Sequence, residues 1–229
     1  MRDTLFQNPQ GSFEFNEKVT QVFDDMINRS VPFYNHIQEQ IVTLCTEFAQ
    51  PHTSLYDLGC STGTTLSQLS HLQNITRIGI DASLPMLKKA KQKCPDITFI
   101  QHDLNRPPLL TTASIVILNL CLQFITPENR FPLISEIYRQ LLPGGILILI
   151  EKISPENQEN QDLFEKIYHH FKFNQSYSKE EIIHKKKSLS NILIPFSSTQ
   201  NKELLKNAGF SNYETIFQWY SFIGLFAVK

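Results

Sequence analysis

Between 15 and 49 the apolar residues recur every three or four positions, first Val19, Val22, Phe23, Met26 and Ile27, then Ile37, Ile41, Leu44, Cys45 and Phe48. That is the spacing of helix faces turned toward a core. Pro32 cannot sit inside a hydrogen-bonded helical ladder but suits a first turn, so the pattern predicts two helices with Ser30 as N-cap of the second. Beyond Gln50 and Pro51 the period changes. TSLYDLG, TTLSQLSHL, RIGID, SLPMLKKAKQKC, ITFIQ, SIVILNL, RFPLISEIYRQLL and GGILILIE follow one another and read as strand, helix, strand, helix, strand, strand, helix, strand. The runs at 115–118 and 146–150 are apolar at every position, as in strands covered on both faces at the centre of a parallel sheet. Alternating strands and helices then predict a doubly wound α/β domain.

From about 158 to 208 the chain turns helical and charged, with breaks near 177–178 and at Pro195. This reads as an insertion before the sheet is completed. In 211–228, YETIFQWY and SFIGLFAVK are β-branched and aromatic and lie too close together for a crossover helix, so they predict an antiparallel pair. The expected single domain thus comprises a helical cap (1–50), an α/β core (51–154), a helical insertion (155–208) and a closing strand pair (209–229).

Composition narrows the function classes. A chain of 229 residues with 41% hydrophobic residues buries roughly 70–75% of its unfolded surface, so neither disulfides nor a structural metal are needed for stability. With 21 Lys+Arg against 22 Asp+Glu there is none of the basic excess of a dedicated nucleic-acid binder. No run approaches the roughly 18 apolar residues of a membrane span, and the polar opening MRDTLFQNPQGSFEFNEK lacks the apolar stretch of a signal peptide. Cys45, Cys60, Cys94 and Cys121 are scattered and form no metal-ligand spacing, so a cytoplasmic protein with reduced thiols and no metal is expected.

The sharpest local signal is the small-residue turn Gly59-Cys60-Ser61-Thr62-Gly63 after the first strand. Such a turn lets backbone N–H groups approach a ligand in front of a helix N-terminus, although Ser61 replaces the second glycine of the dinucleotide fingerprint. A plain strand-to-helix turn is the competing reading. A nucleophile elbow centred on Ser61 lacks its downstream acid and histidine. Roughly 20 residues on, Asp81 ends the next strand, where a carboxylate accepts from both ribose hydroxyls of a nucleoside or caps the following helix. Asp103 follows the third strand and is a candidate for an adenine amino group, or a turn carboxylate. Asn119 ends a central strand, where open α/β sheets place their ligand crevice. Four polar signals at successive strand ends form a constellation.

This spacing resembles the class I S-adenosylmethionine (SAM)-dependent methyltransferase fold over about 53–152 and 211–228. Segments outside that core resemble a particular family more closely. RDTLF at 2–6, FNEKVTQVFDDMINRSVPFY at 15–34, LNLCLQF at 118–124, HHFKFNQSYSKEEI at 169–182 and the C-terminal FQWYSFIGLFAVK are similar to the carboxy-SAM synthases. The resemblance implies conversion of SAM and prephenate to phenylpyruvate and carboxy-SAM, the latter used by a partner enzyme in tRNA wobble uridine modification, and a homodimer; from the charge balance and the lack of an apolar span, no direct nucleic-acid or membrane binding is expected. It implies that the sulfonium acidifies the methyl group, and that ligand contacts fall on Tyr34, Gly59, Cys60, Ser61, Asp81, Ala82, Asp103, Leu104, Asn119 and Lys186.

Lys186 stands where the family has a carboxylate-binding arginine, and Ala82 where it has a polar residue. With Tyr34, whose ring is expected to cover the cofactor or simply to pack in the core, Lys186 is the candidate catalytic group. Lysine supplies a point charge in place of a two-pronged donor. Read alone, Lys185, Lys186 and Lys187 are a solvated helix end. Arg29 is a second candidate for anion binding or a salt-bridged helix end. The adjacent His169 and His170 point about 100° apart on a helix and read as packing or interface residues. Cys60 reads as a packing thiol. Two other functions remain open at this point, a SAM-dependent methyltransferase of unknown acceptor and a non-catalytic SAM-binding accessory protein.

Overall fold

A computed structural model describes residues 2–7 and 11–229 of the chain. The stretch 8–10, part of the polar opening discussed above, lies outside the described residues. Asn16 caps α1 (Glu17–Ser30) by accepting from the Val19 N–H, and α2 (Tyr34–Phe48) follows after a sharp turn. The two helices predicted from periodicity are present, but Ser30 does not cap α2. It is the last residue of α1, and the turn is made by Phe33 in the left-handed region (φ 57°), leaving the Ser30 side chain for a tertiary role.

The core runs β1 (Thr53–Leu58), α3 (Thr64–Ser67), β2 (Ile75–Asp81), α4 (Leu84–Lys93), β3 (Thr98–Gln101), β4 (Ala113–Asn119), α5 (Pro127–Gln140) and β5 (Leu141–Lys152). The chain continues through α6 (Gln158–Asn174), α7 (Lys179–Ser188), α8 (Ser198–Ala208), β6 (Asn212–Trp219) and β7 (Phe222–Val228). Sheet order is β3-β2-β1-β4-β5-β7-β6, parallel from β3 to β5, with β7 antiparallel to both β5 and β6. The predicted closing pair is therefore present.

The helix expected over TTLSQLSHL is only the single turn α3. Gln68 and Leu69 donate to carbonyls three residues back, so the α-helical ladder tightens and stops while Leu66 and Leu69 stay buried.

Alternation along the central strands builds two cores. Val116, Leu118, Leu147 and Leu149 face Leu133, Ile137, Leu204 and Leu205 of α5 and α8, whereas Ile115, Ile117, Ile146 and Ile148 face Ile37, Ile41 and Leu87 of α2 and α4. Truncating any of these isoleucines or leucines to alanine removes about 2–5 kcal/mol of stability. Within the stretch read as one insertion, the helices divide. α8 packs on α5, while α6 and α7 pack on each other and stand at the carboxyl ends of the strands. Capping boxes at Ser178/Glu181 and Ser197/Gln200 fix where α7 and α8 begin.

Candidate functional site

A cavity of about 990 Å³ opens at the carboxyl ends of β1, β2, β4 and β5 and is roofed by α1, α2, α6 and α7. Tyr34, Gly59, Cys60, Ser61, Asp81, Ala82, Asp103, Leu104, Asn119 and Lys186 all line it. Arg29 does not. Its guanidinium donates to the carbonyls of Gln175 and Ser176, pairs with Asp25 at 3.3 Å and stacks on Tyr177, so it is a helix-end clamp.

The strand-end wall is acidic. Asp57, at the end of β1, is fully enclosed, and burial together with the neighbouring Asp81 charge pushes its carboxyl up to about 7. Its Oδ2 has no hydrogen-bond partner among the described residues, and neither does Asn119 Oδ1. Buried polar atoms without partners at a cavity wall are the places where a ligand's donors fit. Asp81 accepts from the Ser61 and Ser83 N–H groups at 2.9 and 2.8 Å, which holds its carboxylate at the mouth of the turn although burial raises its pKa. Asp103 is exposed, and the Asn105 backbone N–H and side-chain amide hold it below the ordinary carboxylate range. Tyr34 is buried, and burial plus the Asp57 charge keep its hydroxyl protonated, hence a donor.

The turn itself works differently from the sequence expectation. Gly59 and Cys60 N–H groups both donate to the Ile80 carbonyl, Ser61 N–H to Asp81, and Gly63 N–H to the Cys60 carbonyl. The first three donors are occupied because the turn lies directly against the end of β2 and the fourth closes the turn on itself, and the four-residue α3 offers too short a stack of peptides for a strong N-terminal dipole. The glycine is still needed. Gly59 has φ +76°, and a Cβ there would overlap the Cys121 sulfur, so the close approach of the chain to the cavity depends on the missing side chain. Burial and neighbouring carboxylates push the Cys60 and Cys121 thiols well up, so neither is an activated nucleophile.

The wall formed by the end of β5, α6 and α7 is basic. Lys152 from the end of β5, Lys172 from α6, and Lys185 and Lys186 from α7 line it, together with His169 and Glu165. The three lysines read as a solvated helix end do not share one environment. Lys186 and Lys187 are exposed, and Lys186 pairs with Glu165 at the rim with 62% of its side chain in solvent. Lys185 is buried, pushed down to about 7 by burial, and donates to Ser30 Oγ at 2.6 Å and to the Tyr177 hydroxyl at 3.3 Å. Asp3 lies 3.9 Å from the Lys185 ammonium, so this knot ties the N-terminal segment, α1 and α7 together. His169 lines the cavity 3.5 Å from Glu165, whereas His170 is exposed outside it.

Behind the cavity, Glu151 accepts from the Leu122 and Gln123 N–H groups, each at 2.8 Å, and burial raises its pKa to about 8. Arg130, also buried, donates to the carbonyls of Ile125 and Ile194, which pins the loop after β4 to the segment after α7. Sequence reasoning missed Asp57, Lys152 and Lys172. For Asp57 the available signal is a lone carboxylate inside an otherwise buried strand; for the lysines there is none without the tertiary fold.

Sheet order, the reversed last strand and the strand-end crevice define a class I SAM-dependent methyltransferase fold. A family profile described as a methyltransferase domain matches residues 55–145. Among solved structures, the chain superposes on the plantazolicin methyltransferase BpumL with a TM-score of 0.67 at 16% identity, over 90% of this chain and 89% of that one. It superposes on human N-acetylserotonin methyltransferase with a TM-score of 0.62 at 18% identity, over 93% and 55%. Sequence relatives are more specific. The carboxy-S-adenosyl-L-methionine synthase of Desulfotalea psychrophila is 45% identical over 100% of this chain and 97% of its own length, and that of Methylococcus capsulatus is 39% identical over 100% and 99%. The chain belongs to the carboxy-S-adenosyl-L-methionine synthase family.

Proposed function

We propose that the protein converts SAM and prephenate into carboxy-SAM, phenylpyruvate and water, the carboxyl carbon of prephenate passing to the SAM methyl carbon and its ring hydroxyl leaving as water. The observation that carries this reading is one cavity whose lining is acidic at the ends of β1 to β3 and basic at the end of β5 and along α6 and α7, in a chain of this family. At about 990 Å³ it lies at the upper end of small-molecule sites, in keeping with two reactants held together. When bound, SAM supplies a sulfonium that acidifies its methyl group.

The protein's own groups then have separable tasks. Asp57 takes the methionine ammonium, whose donors complete the unpartnered Oδ2, and Asn119 Oδ1 receives a further donor. Asp81 holds the ribose hydroxyls and Asp103 the adenine amino group, with Leu104 and Ala82 beside them. Tyr34 covers the reacting end as a protonated donor. Lys186 holds the new carboxylate after leaving Glu165. The family resemblance extends the reading to a cytoplasmic homodimer whose product feeds tRNA wobble uridine modification.

Mass spectrometry of nucleosides after incubation with SAM, with and without prephenate, tests the reading. The expected result is a prephenate-dependent product heavier than SAM by one carbon dioxide. S-adenosylhomocysteine formed with an acceptor would instead make the protein a methyltransferase, and bound but unchanged SAM under all conditions would make it a SAM-binding accessory protein.

A further inference from the structure

Lys172 is the least expected charge in the cavity. Only 4% of it is exposed, yet it extends from α6 into the cavity wall instead of reaching for bulk solvent as lysines on helices do. Its ammonium lies 4.3 Å from the centre of the Tyr168 ring, and the half-buried Lys152 places its own ammonium 4.8 Å from the same ring. Tyr168 cannot easily move away, because its hydroxyl donates to the Ser30 carbonyl at 2.8 Å and its ring packs edge-on against Phe222. Among the described residues neither ammonium donates a hydrogen bond, and neither lies within ion-pair distance of a carboxylate. Glu165, the acidic group facing them, is already paired with Lys186 and close to His169.

Two cations held against one aromatic ring, without a carboxylate at ion-pair distance and lining open space, are an arrangement that an anion completes. We propose that Lys152 and Lys172 form a subsite for a carboxylate of the second substrate, with the Tyr168 and Phe222 rings packing against its carbocycle. The ligand class is a ring-bearing organic dicarboxylate; prephenate as its identity rests on the function proposed above. Apolar ring faces favour such a ligand over a small inorganic anion. Burial, then the charges of Lys152 and Lys185, hold the Lys172 ammonium down to about 7, with Glu165 opposing and Lys186 adding to the effect, so an incoming anion relieves a strain already present. This subsite is separate from Lys186, which sits at the rim.

Steady-state kinetics and calorimetry on the full-length protein saturated with SAM decide it. Lys172→Met is expected to raise the KM and Kd for prephenate at least tenfold and Lys152→Met at least threefold, with SAM affinity within twofold; Lys172→Arg is expected to recover most of the loss. Conversion of prephenate with a KM insensitive to both lysines would overturn the subsite and leave the function standing. Prephenate that binds through both lysines without conversion would count against the function and support the subsite. Prephenate that neither binds nor reacts would overturn both. Should Lys172→Met fail to fold, mass-spectrometric mapping of trinitrobenzenesulfonate labelling on wild-type protein serves. Prephenate added to the SAM complex is expected to slow labelling of Lys172 and Lys152 several-fold, and equal labelling with and without it overturns the proposal.

Discussion

The two walls of the cavity are built from opposite charges and by opposite means. The acidic wall comes from strand ends, where Asp57 and Asp81 are fixed within β1 and β2 and Asp103 follows β3 in a turn held by Asn105. The basic wall comes mostly from helices that lie over the sheet, with Lys172 and Lys185 carried inward by α6 and α7. A formal net charge of −1 conceals this division, because the two clusters cancel in the sum. Charge therefore informs on function here only once it is placed in space.

The largest effect that would break the comparison falls on the acidic side. Asp57→Asn removes a charge-assisted partner and is expected to weaken SAM roughly 10- to 100-fold, equivalent to about 1.5–3 kcal/mol, with prephenate affinity nearly unchanged in the same calorimetric series. A loss shared equally by both ligands would mean that the walls do not act separately.

Backbone strain gives the next test. Gly59→Ala suffers both a left-handed backbone and overlap with Cys121, whereas Gly11→Ala has the same φ sign and open space around it. Urea melts should show about 2–3 kcal/mol lost at Gly59 against about 1 kcal/mol at Gly11.

A third effect is the pH dependence of the ligand-free protein. Asp57 and Glu151 have raised folded pKa values of about 7 and 8, so the folded state holds protons that the unfolded state releases, and their contribution falls as pH rises from about 5 to 8. Lys172 and Lys185, each pushed down to about 7, are neutral in the fold above that value while the unfolded chain still binds protons, so their contribution rises from about pH 7 to 10. The urea midpoint is expected to dip near neutral pH and to recover when SAM is added.

Smallest is Lys186→Ala. Its ion pair with Glu165 is mostly solvated, so stability should change by less than about 1 kcal/mol, while carboxy-SAM weakens more than SAM.

Much of this was legible in the chain because periodicity reports burial. The all-apolar runs in β4 and β5 lie at the centre of the sheet, and the polar residues ending β2 and β4 line its crevice. What escaped depends on distant partners. Lys172 sits in an amphipathic helix and reads as solvated until Tyr168 and the sheet enclose it. The turn N–H groups read as free donors until the end of β2 takes them. Ser30 looks like a cap, and only the fold brings Lys185 to its hydroxyl.

The most direct test of the division is to follow the affinities for SAM and for prephenate in one protein across pH. With Asp57 titrating near 7, SAM should bind several-fold more tightly as pH rises from about 6 to 7.5, before its own amino group deprotonates near 8. Prephenate should weaken over about pH 6.5–8.5 as Lys172 loses its charge. Opposing slopes crossing near neutrality are the predicted result; parallel or flat profiles would contradict the assignment of the two walls to two different ligands.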